Sequence, residues 1–348
     1  MKNQIQSPIL TSIVISSRYL SVWIAIGLLL ITALWIAPET LTRTSFTTVL
    51  PLTSFLALAA LGQMLVVMTG GIDLSIPGTM TLAAIMAVGI AGNSDERLPI
   101  ALVTALGASL LIGLTSGILV GVFKLSPLIV TLAVGQIVYG STLAYAENVA
   151  NEASVPRSFS NWITSPLLGL SNLEWTAIAV SLILVLIFRY TELGRKFQSV
   201  GANPTAAWIL GLRVNVYVIF AYMAASLLYG LNGILLAGFL RSPSLILGVP
   251  YLLGPIAAVV IGGASLSGGL ANAISTWAAA FFLVLLNQML RVLGLPTALQ
   301  FVVFGFAIIG GMVISGDRIV TLIENVLIGT SRFRKTDLET KKGGSEAS

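Results

Sequence analysis

Long stretches of this chain carry no charge, and that constrains the fold more than any other property. Asp, Glu, Lys and Arg are missing from Tyr19–Pro38, Thr44–Ile72, Leu74–Ser94, Leu98–Phe123, Leu125–Ala146, Trp175–Phe188, Val214–Leu240, Ser242–Leu290 and Val292–Gly316. About 20 apolar residues cross the hydrocarbon core of a bilayer as a helix, so most runs predict single crossings. Trp175–Phe188 has only 14 residues, and the apolar Leu167–Leu173 upstream is expected to extend it past Glu174. Ser242–Leu290, with 49, is too long for one crossing and is expected to break at Gly262–Gly269. The expectation is an all-α polytopic membrane protein of about ten transmembrane segments. Whether Tyr251–Ile261 spans fully is open at this point.

Basic residues sort by side. With the N-terminus in the cytoplasm, the inner face receives 13 of the 18 Lys and Arg residues, among them Lys124, Arg189, Arg195, Lys196 and Arg213. This positive-inside bias places both termini on the cytoplasmic side of the membrane, which is expected to be the inner membrane of a bacterium. The expected organisation is a cytoplasmic segment 1–18, a transmembrane domain 19–316 and a cytoplasmic tail 317–348. An outer loop 147–174 and a cytoplasmic loop 189–213 interrupt the transmembrane domain. The basic residues form no groove-sized patch, so nucleic acid is not an expected partner, whereas lipid is.

Missing residue types exclude chemistries. Cysteine and histidine are absent, which removes thiolate metal sites, a Cys nucleophile and the commonest general base and zinc ligand. No metal site or catalytic residue is expected. No Gly-x-x-x-x-Gly-Lys-Ser/Thr run occurs, so any ATP and Mg must be handled by another polypeptide.

The charge-free pattern has one exception between Thr44 and Ser94: Asp73, in Gly70-Gly71-Ile72-Asp73-Leu74-Ser75-Ile76-Pro77-Gly78. A charge among membrane-length apolar segments costs roughly 2.5–3.5 kcal/mol on insertion scales, so a retained one has a partner or a task. The paired glycines followed by Asp, Ser and Pro predict one helix ending and another beginning. A near copy, Gly262-Gly263-Ala264-Ser265-Leu266-Ser267-Gly268-Gly269, follows 192 residues later. Helices broken at matching places in two halves of a membrane protein point to a transport path. Gly70, Gly71, Gly262 and Gly263 are the expected break points. Asp73 has two open roles: to cap the helix starting near Ser75, or to act as a gate or hydroxyl acceptor in the path.

Other polar side chains within spans and breaks, Gln63, Ser75, Gln136, Asn232, Ser265 and Asn272, are path candidates. Interhelical hydrogen bonding is the alternative for each, as it is for Asn287 and Gln288. Gly113, Gly117, Gly121, Gly135, Gly230 and Gly233 predict close helix packing.

In the cytoplasmic loop, Asn203 is a suitable N-cap, Pro204 suits the first helical position and Gly211 suits the C-cap. Thr205, Ala206, Ala207, Trp208, Ile209 and Leu210 between them form under two turns, too few to be stable alone. The exposed Trp208, Ile209 and Leu210 need a cover, either a docking partner or the lipid headgroups.

Three stretches resemble the permease subunits of ribose-type ATP-binding-cassette (ABC) importers: Gly70–Ser75, Gly194–Leu212 and Ile256–Gly269, with the similarity running over about Phe46–Gly316. Two departures stand out. Trp208 and Ile209 replace basic and small residues, and the third motif continues as Leu270-Ala271-Asn272. The resemblance implies a type II importer-like permease moving a monosaccharide or similar small polar solute. It also implies a coupling helix within Asn203–Leu212, a cytoplasmic ATPase, an external solute-binding protein, and a homodimer or a heterodimer with a related permease. An ion-coupled secondary transporter with a broken-helix site is the alternative.

Overall fold

The computed structural model describes residues 8–149, 153–241 and 244–315. Thirteen α-helices run in chain order among them: α1 (Pro8–Ile36), α2 (Arg43–Met68), α3 (Ile76–Ala91), α4 (Leu98–Gly121), α5 (Pro127–Ala146), α6 (Arg157–Thr164), α7 (Asn172–Tyr190), α8 (Glu192–Ala202), α9 (Pro204–Ile209), α10 (Val214–Leu240), α11 (Gly254–Ile261), α12 (Ala273–Val292) and α13 (Thr297–Ser315). Seven are long and apolar enough to cross a bilayer: α1, α2, α4, α5, α7, α10 and α12. Shorter apolar helices are α3, α13 and the segment Val249–Ile261, which a 3-10 turn and α11 make up. The chain is an all-helical multi-pass membrane protein.

Lipid and protein compete for each helix, and from Thr53 onward α2 lies on the protein side. Every residue from Thr53 to Met68 is buried, beneath α10, α11 and α12. Because lipid tails are as apolar as leucine, helices in a membrane associate through close packing rather than water exclusion. The glycines of α4 provide it. Added Cβ atoms at Gly117 and Gly121 would stand 2.8 Å from the Ile219 Cα and 3.1 Å from the Asn215 carbonyl oxygen, and one at Gly113 would overlap the Tyr222 carbonyl oxygen. Spaced four apart, these three glycines form one ridge on which the α10 backbone lies.

Two helix starts differ from the sequence reading. Helix α1 begins at Pro8, ahead of Tyr19 and through Arg18, because hydropathy marks the stretch lipid must cover and not where the backbone stops being helical. Helix α7 gains only Asn172 and Leu173 upstream of Glu174, and Pro166–Leu167 pairs antiparallel with Leu170–Ser171. The Ser171–Glu174 capping box fixes that start, satisfying backbone donors reciprocally. The loop 147–174 also contains α6, whose Ile163 is fully buried. The tail 317–348 lies outside the described residues.

Eight residues of α11 rise about 12 Å, well short of a bilayer. It is a half-helix. Its end repeats the end of α2 bond for bond. In α2, Gly70 N–H donates to Val67 O (2.9 Å) and Gly71 N–H to Val66 O (3.2 Å); in α11, Gly263 N–H donates to Val260 O (2.9 Å) and Ala264 N–H to Val259 O (3.2 Å). These are Schellman motifs. Gly70 (φ 81°) and Gly263 (φ 86°) hold the left-handed position that a Cβ would strain. The two breaks therefore correspond at a spacing of 193 residues, one more than matching the glycine pairs suggests.

Candidate functional site

The first break, residues 69–75, is held from three helices. Asp73 is fully buried, and its Oδ1 accepts from the Ser75 backbone N–H (2.8 Å) and the Ser75 hydroxyl (2.7 Å). The cap expected of Asp73 takes a different form. Helix α3 starts at Ile76 with Ser75 as its N-cap residue, so the carboxylate closes an Asx-type turn ahead of the helix and does not reach its first-turn donors. Gln63 of α2 reads the same turn. With its amide oriented to suit its neighbours, it donates to the Asp73 carbonyl (3.1 Å) and the Tyr229 hydroxyl (3.2 Å) and accepts from the Asp73 N–H (3.2 Å). From α5, the Thr131 hydroxyl oxygen accepts the Leu74 N–H (2.9 Å). Gln63, Asp73 and Ser75 thus come together, all three fully buried. The Asp73 Oδ2 and the Tyr222 hydroxyl are buried without a hydrogen-bond partner.

The remaining path candidates disperse. Asn232 is buried and donates to the Phe55 carbonyl (2.9 Å). Gln136 stands on the exposed side of α5. Ser265 closes the second break, its N–H donating to the Leu270 carbonyl (2.9 Å). Asn272 caps α12, its Oδ1 accepting from the Ile274 N–H (2.9 Å), and borders a cleft of about 400 Å³ with Arg189, Arg195 and Gln198. Asn287 and Gln288 line a cavity of about 170 Å³ with Tyr251 and Arg291. A polar residue in a span reads the same in sequence whether it faces a neighbour or a cavity.

The loop 189–213 forms a second constellation. Helix α8 is pinned by Phe197 and Val200, both 1% exposed; the Phe197 ring meets Phe188 edge-on at 5.5 Å and Tyr217 at 6.3 Å. On its outer face the Lys196 ammonium donates to Glu192 (2.8 Å), holding that carboxyl below its usual range. Asn203 alone separates α8 from α9, and its Oδ1 accepts the Ala206 N–H at 3.0 Å. Pro204 occupies the first helical position. Gly211 N–H donates to Trp208 O (2.9 Å) and Leu212 N–H to Ala207 O (3.0 Å), closing the C-terminus. Six residues hold as a helix because both ends are capped. Trp208, Ile209 and Leu210 are 71%, 72% and 78% exposed. Ala207 faces inward and is buried, while Asn203, Pro204, Thr205 and Gly211 are exposed. Beside α9 lies a cleft of about 670 Å³ bordered by Lys124, Thr205, Trp208 and Arg213.

Multi-pass helices, two corresponding helix breaks and a capped amphipathic loop, in a sequence without a phosphate-cradling Gly-Lys loop, are the features of a membrane transport subunit. Residues 45–312 match the family described as branched-chain amino acid transport system / permease component, and the chain belongs to that family. The ribose import permease protein of Escherichia coli K12 is 32% identical over 276 residues, covering 77% of this chain and 84% of its own. The galactofuranose transporter permease protein of the same strain is 32% identical, covering 78% and 79%. The galactose/methyl galactoside import permease protein of that strain is 28% identical, covering 83% and 91%. No solved structure matches. The chain is an ABC importer permease subunit and not itself an ATPase, which sets aside the ion-coupled alternative.

Proposed function

We propose that this permease carries a neutral monosaccharide, or a solute of the same size and hydroxyl chemistry, into the cell, with α9 seated in a groove of a cytoplasmic ATPase. The observation that carries the reading is α9 itself: a helix of six residues, capped at both ends, which with its C-cap residue Leu210 presents three large apolar side chains outward. In this reading the chain has ten membrane segments in a type II-like arrangement with both termini cytoplasmic. It pairs with a second permease, itself or a relative, and receives solute from an external binding protein. Relatives named for ribose, galactofuranose and galactose support a sugar. So does the chemistry of the interior. A zwitterionic amino acid needs charged partners, and between Thr44 and Ser94 the single charge, Asp73, already serves its own turn. Hydroxyls and amides suit a polyol.

The test is reconstitution of the permease in proteoliposomes with its ATPase and binding protein, following labelled ribose, galactose and leucine. ATP-dependent uptake of a sugar and not of leucine is expected. Burying one large apolar side chain contributes roughly 1.5–3 kcal/mol, so Trp208→Asp should weaken ATPase association by about tenfold or more. Parental association and uptake in that variant would remove α9 as the seat. Uptake of leucine alone would overturn the sugar.

A further inference from the structure

The coupling loop touches both helix breaks directly, backbone against backbone. Helix α8 ends at Gly201-Ala202, and a Cβ added to Gly201 would overlap the Met68 carbonyl oxygen at the end of α2 while standing 2.7 Å from the Gly269 nitrogen in the second break. A Cβ on Gly268 would lie 2.6 Å from the Gly201 oxygen and 3.2 Å from the Gly70 nitrogen, and one on Gly269 would lie 2.8 Å from the Ala202 Cα. The Gly269 N–H donates to the Met68 carbonyl at 2.8 Å, tying the two breaks together at this spot. Three chain segments, distant in sequence, thus meet with no side chain between them.

That arrangement transmits displacement. Side chains take up small movements by changing rotamer, whereas backbones in van der Waals contact and sharing a hydrogen bond do not. Toward the ATPase side, Asn203 is the single residue between Ala202 and α9, and its side chain is committed to the α9 cap. Toward the membrane, the contacted segments lie at or beyond the ends of α2 and α11, where the regular i to i−4 ladder has stopped and a few turn bonds hold the backbone. Space is available as well: a cavity of about 250 Å³ lies between Gly70, Gly71, Pro127, Val200 and Pro204.

The geometry points to Gly201-Ala202 as the fulcrum through which movement of α9 reaches both helix breaks at once, with Gly201 and Gly268 as positioning residues required for their lack of a side chain. This rests on α9 being the ATPase seat. Proteins with this fulcrum open or close both breaks together, and neither follows the nucleotide state alone.

Two experiments on the assembled permease–ATPase complex test it. In the first, hydrogen exchange of the parent complex is compared without nucleotide and with a non-hydrolysable ATP analogue. Segments 66–71, 199–203 and 265–270 are expected to change together; a change at 199–203 with both breaks unaltered overturns the fulcrum. In the second, Gly201→Ala, or Gly268→Ala from the opposite side of the contact, is expected to keep the ATPase bound, since α9 is untouched. Sugar uptake per ATP hydrolysed should fall at least tenfold. A folded variant with parental uptake per ATP overturns the proposal. Trp208→Asp separates the two readings: if it leaves the ATPase seated, the docking assignment fails, whereas its release combined with full coupling in Gly201→Ala refutes the fulcrum alone.

Discussion

Replacing Asp73 by Ala and by Asn should give opposite outcomes, and the difference follows from which oxygen is in use. Oδ1 accepts two bonds, from the N–H and the hydroxyl of the buried Ser75, and Oδ2 accepts none. Alanine leaves both donors orphaned inside the protein, and each such group costs about 1–3 kcal/mol, so the loss is about 2–6 kcal/mol. Asparagine keeps an oxygen for both bonds and puts its NH₂ where Oδ2 stood. Removing a buried charge offsets the weaker acceptor, and the net change should stay below about 1 kcal/mol. Denaturation of the purified permease in detergent measures both changes, and ATP-driven sugar uptake in proteoliposomes reports whether transport survives. The Ala variant should unfold at markedly lower denaturant, and the Asn variant should match the parent in both assays. If Asn is as unstable as Ala, the bond count is wrong. If Asn folds normally yet transports nothing, Asp73 is a gate and the turn is not its main task.

Gly117→Leu should prevent assembly, because its side chain would enter the Ile219 backbone, while Gly107→Leu, with nothing within 4 Å of its Cβ, should express at the parental level; fluorescence-detected size exclusion separates them. Asn203→Ala removes the α9 cap and should cost about 1 kcal/mol locally, read as faster hydrogen exchange over residues 204–209. Ala207→Asp forces a carboxylate into a site only 2% exposed. It should melt α9, so that exchange protection and ATPase association are lost together; retained protection with lost association would place Ala207 on the docking face instead.

The sequence made the spans and the α9 caps legible because each has a local cause. A charge-free run is a direct reading of the lipid-covered stretch, and Asn203-Pro204 with Gly211 satisfies a helix from both ends. Helix ends beyond the charge-free runs were less legible: nothing in hydropathy marks Pro8 as the start of α1, and the hairpin of Pro166–Leu167 with Leu170–Ser171 rests on two residue pairs. Side-chain direction was the larger gap. Gln63, Asn232 and Gln136 are equivalent as mid-span amides, yet the first two are sealed against neighbours and the third is exposed. The contact of Gly201 with Met68 and Gly269 joins residues more than 60 positions apart, and no periodicity encodes it. Its one trace is a glycine near the end of an otherwise ordinary helix.

The enclosure of α2 has a consequence for how the protein is made. Two of the helices that cover it, α10 and α12, are synthesised much later, and α10 starts 146 residues after α2 ends. At translation rates of about 5–20 residues per second, this leaves α2 without that cover for roughly 7–30 s. During that interval Thr53, Ser54 and Gln63, all fully buried in the finished protein, face acyl chains, an insertion chaperone or one another. A nascent chain stalled before Val214 would therefore leave these polar side chains of α2 without their cover, making quality-control proteases of the membrane the expected fate of truncated products.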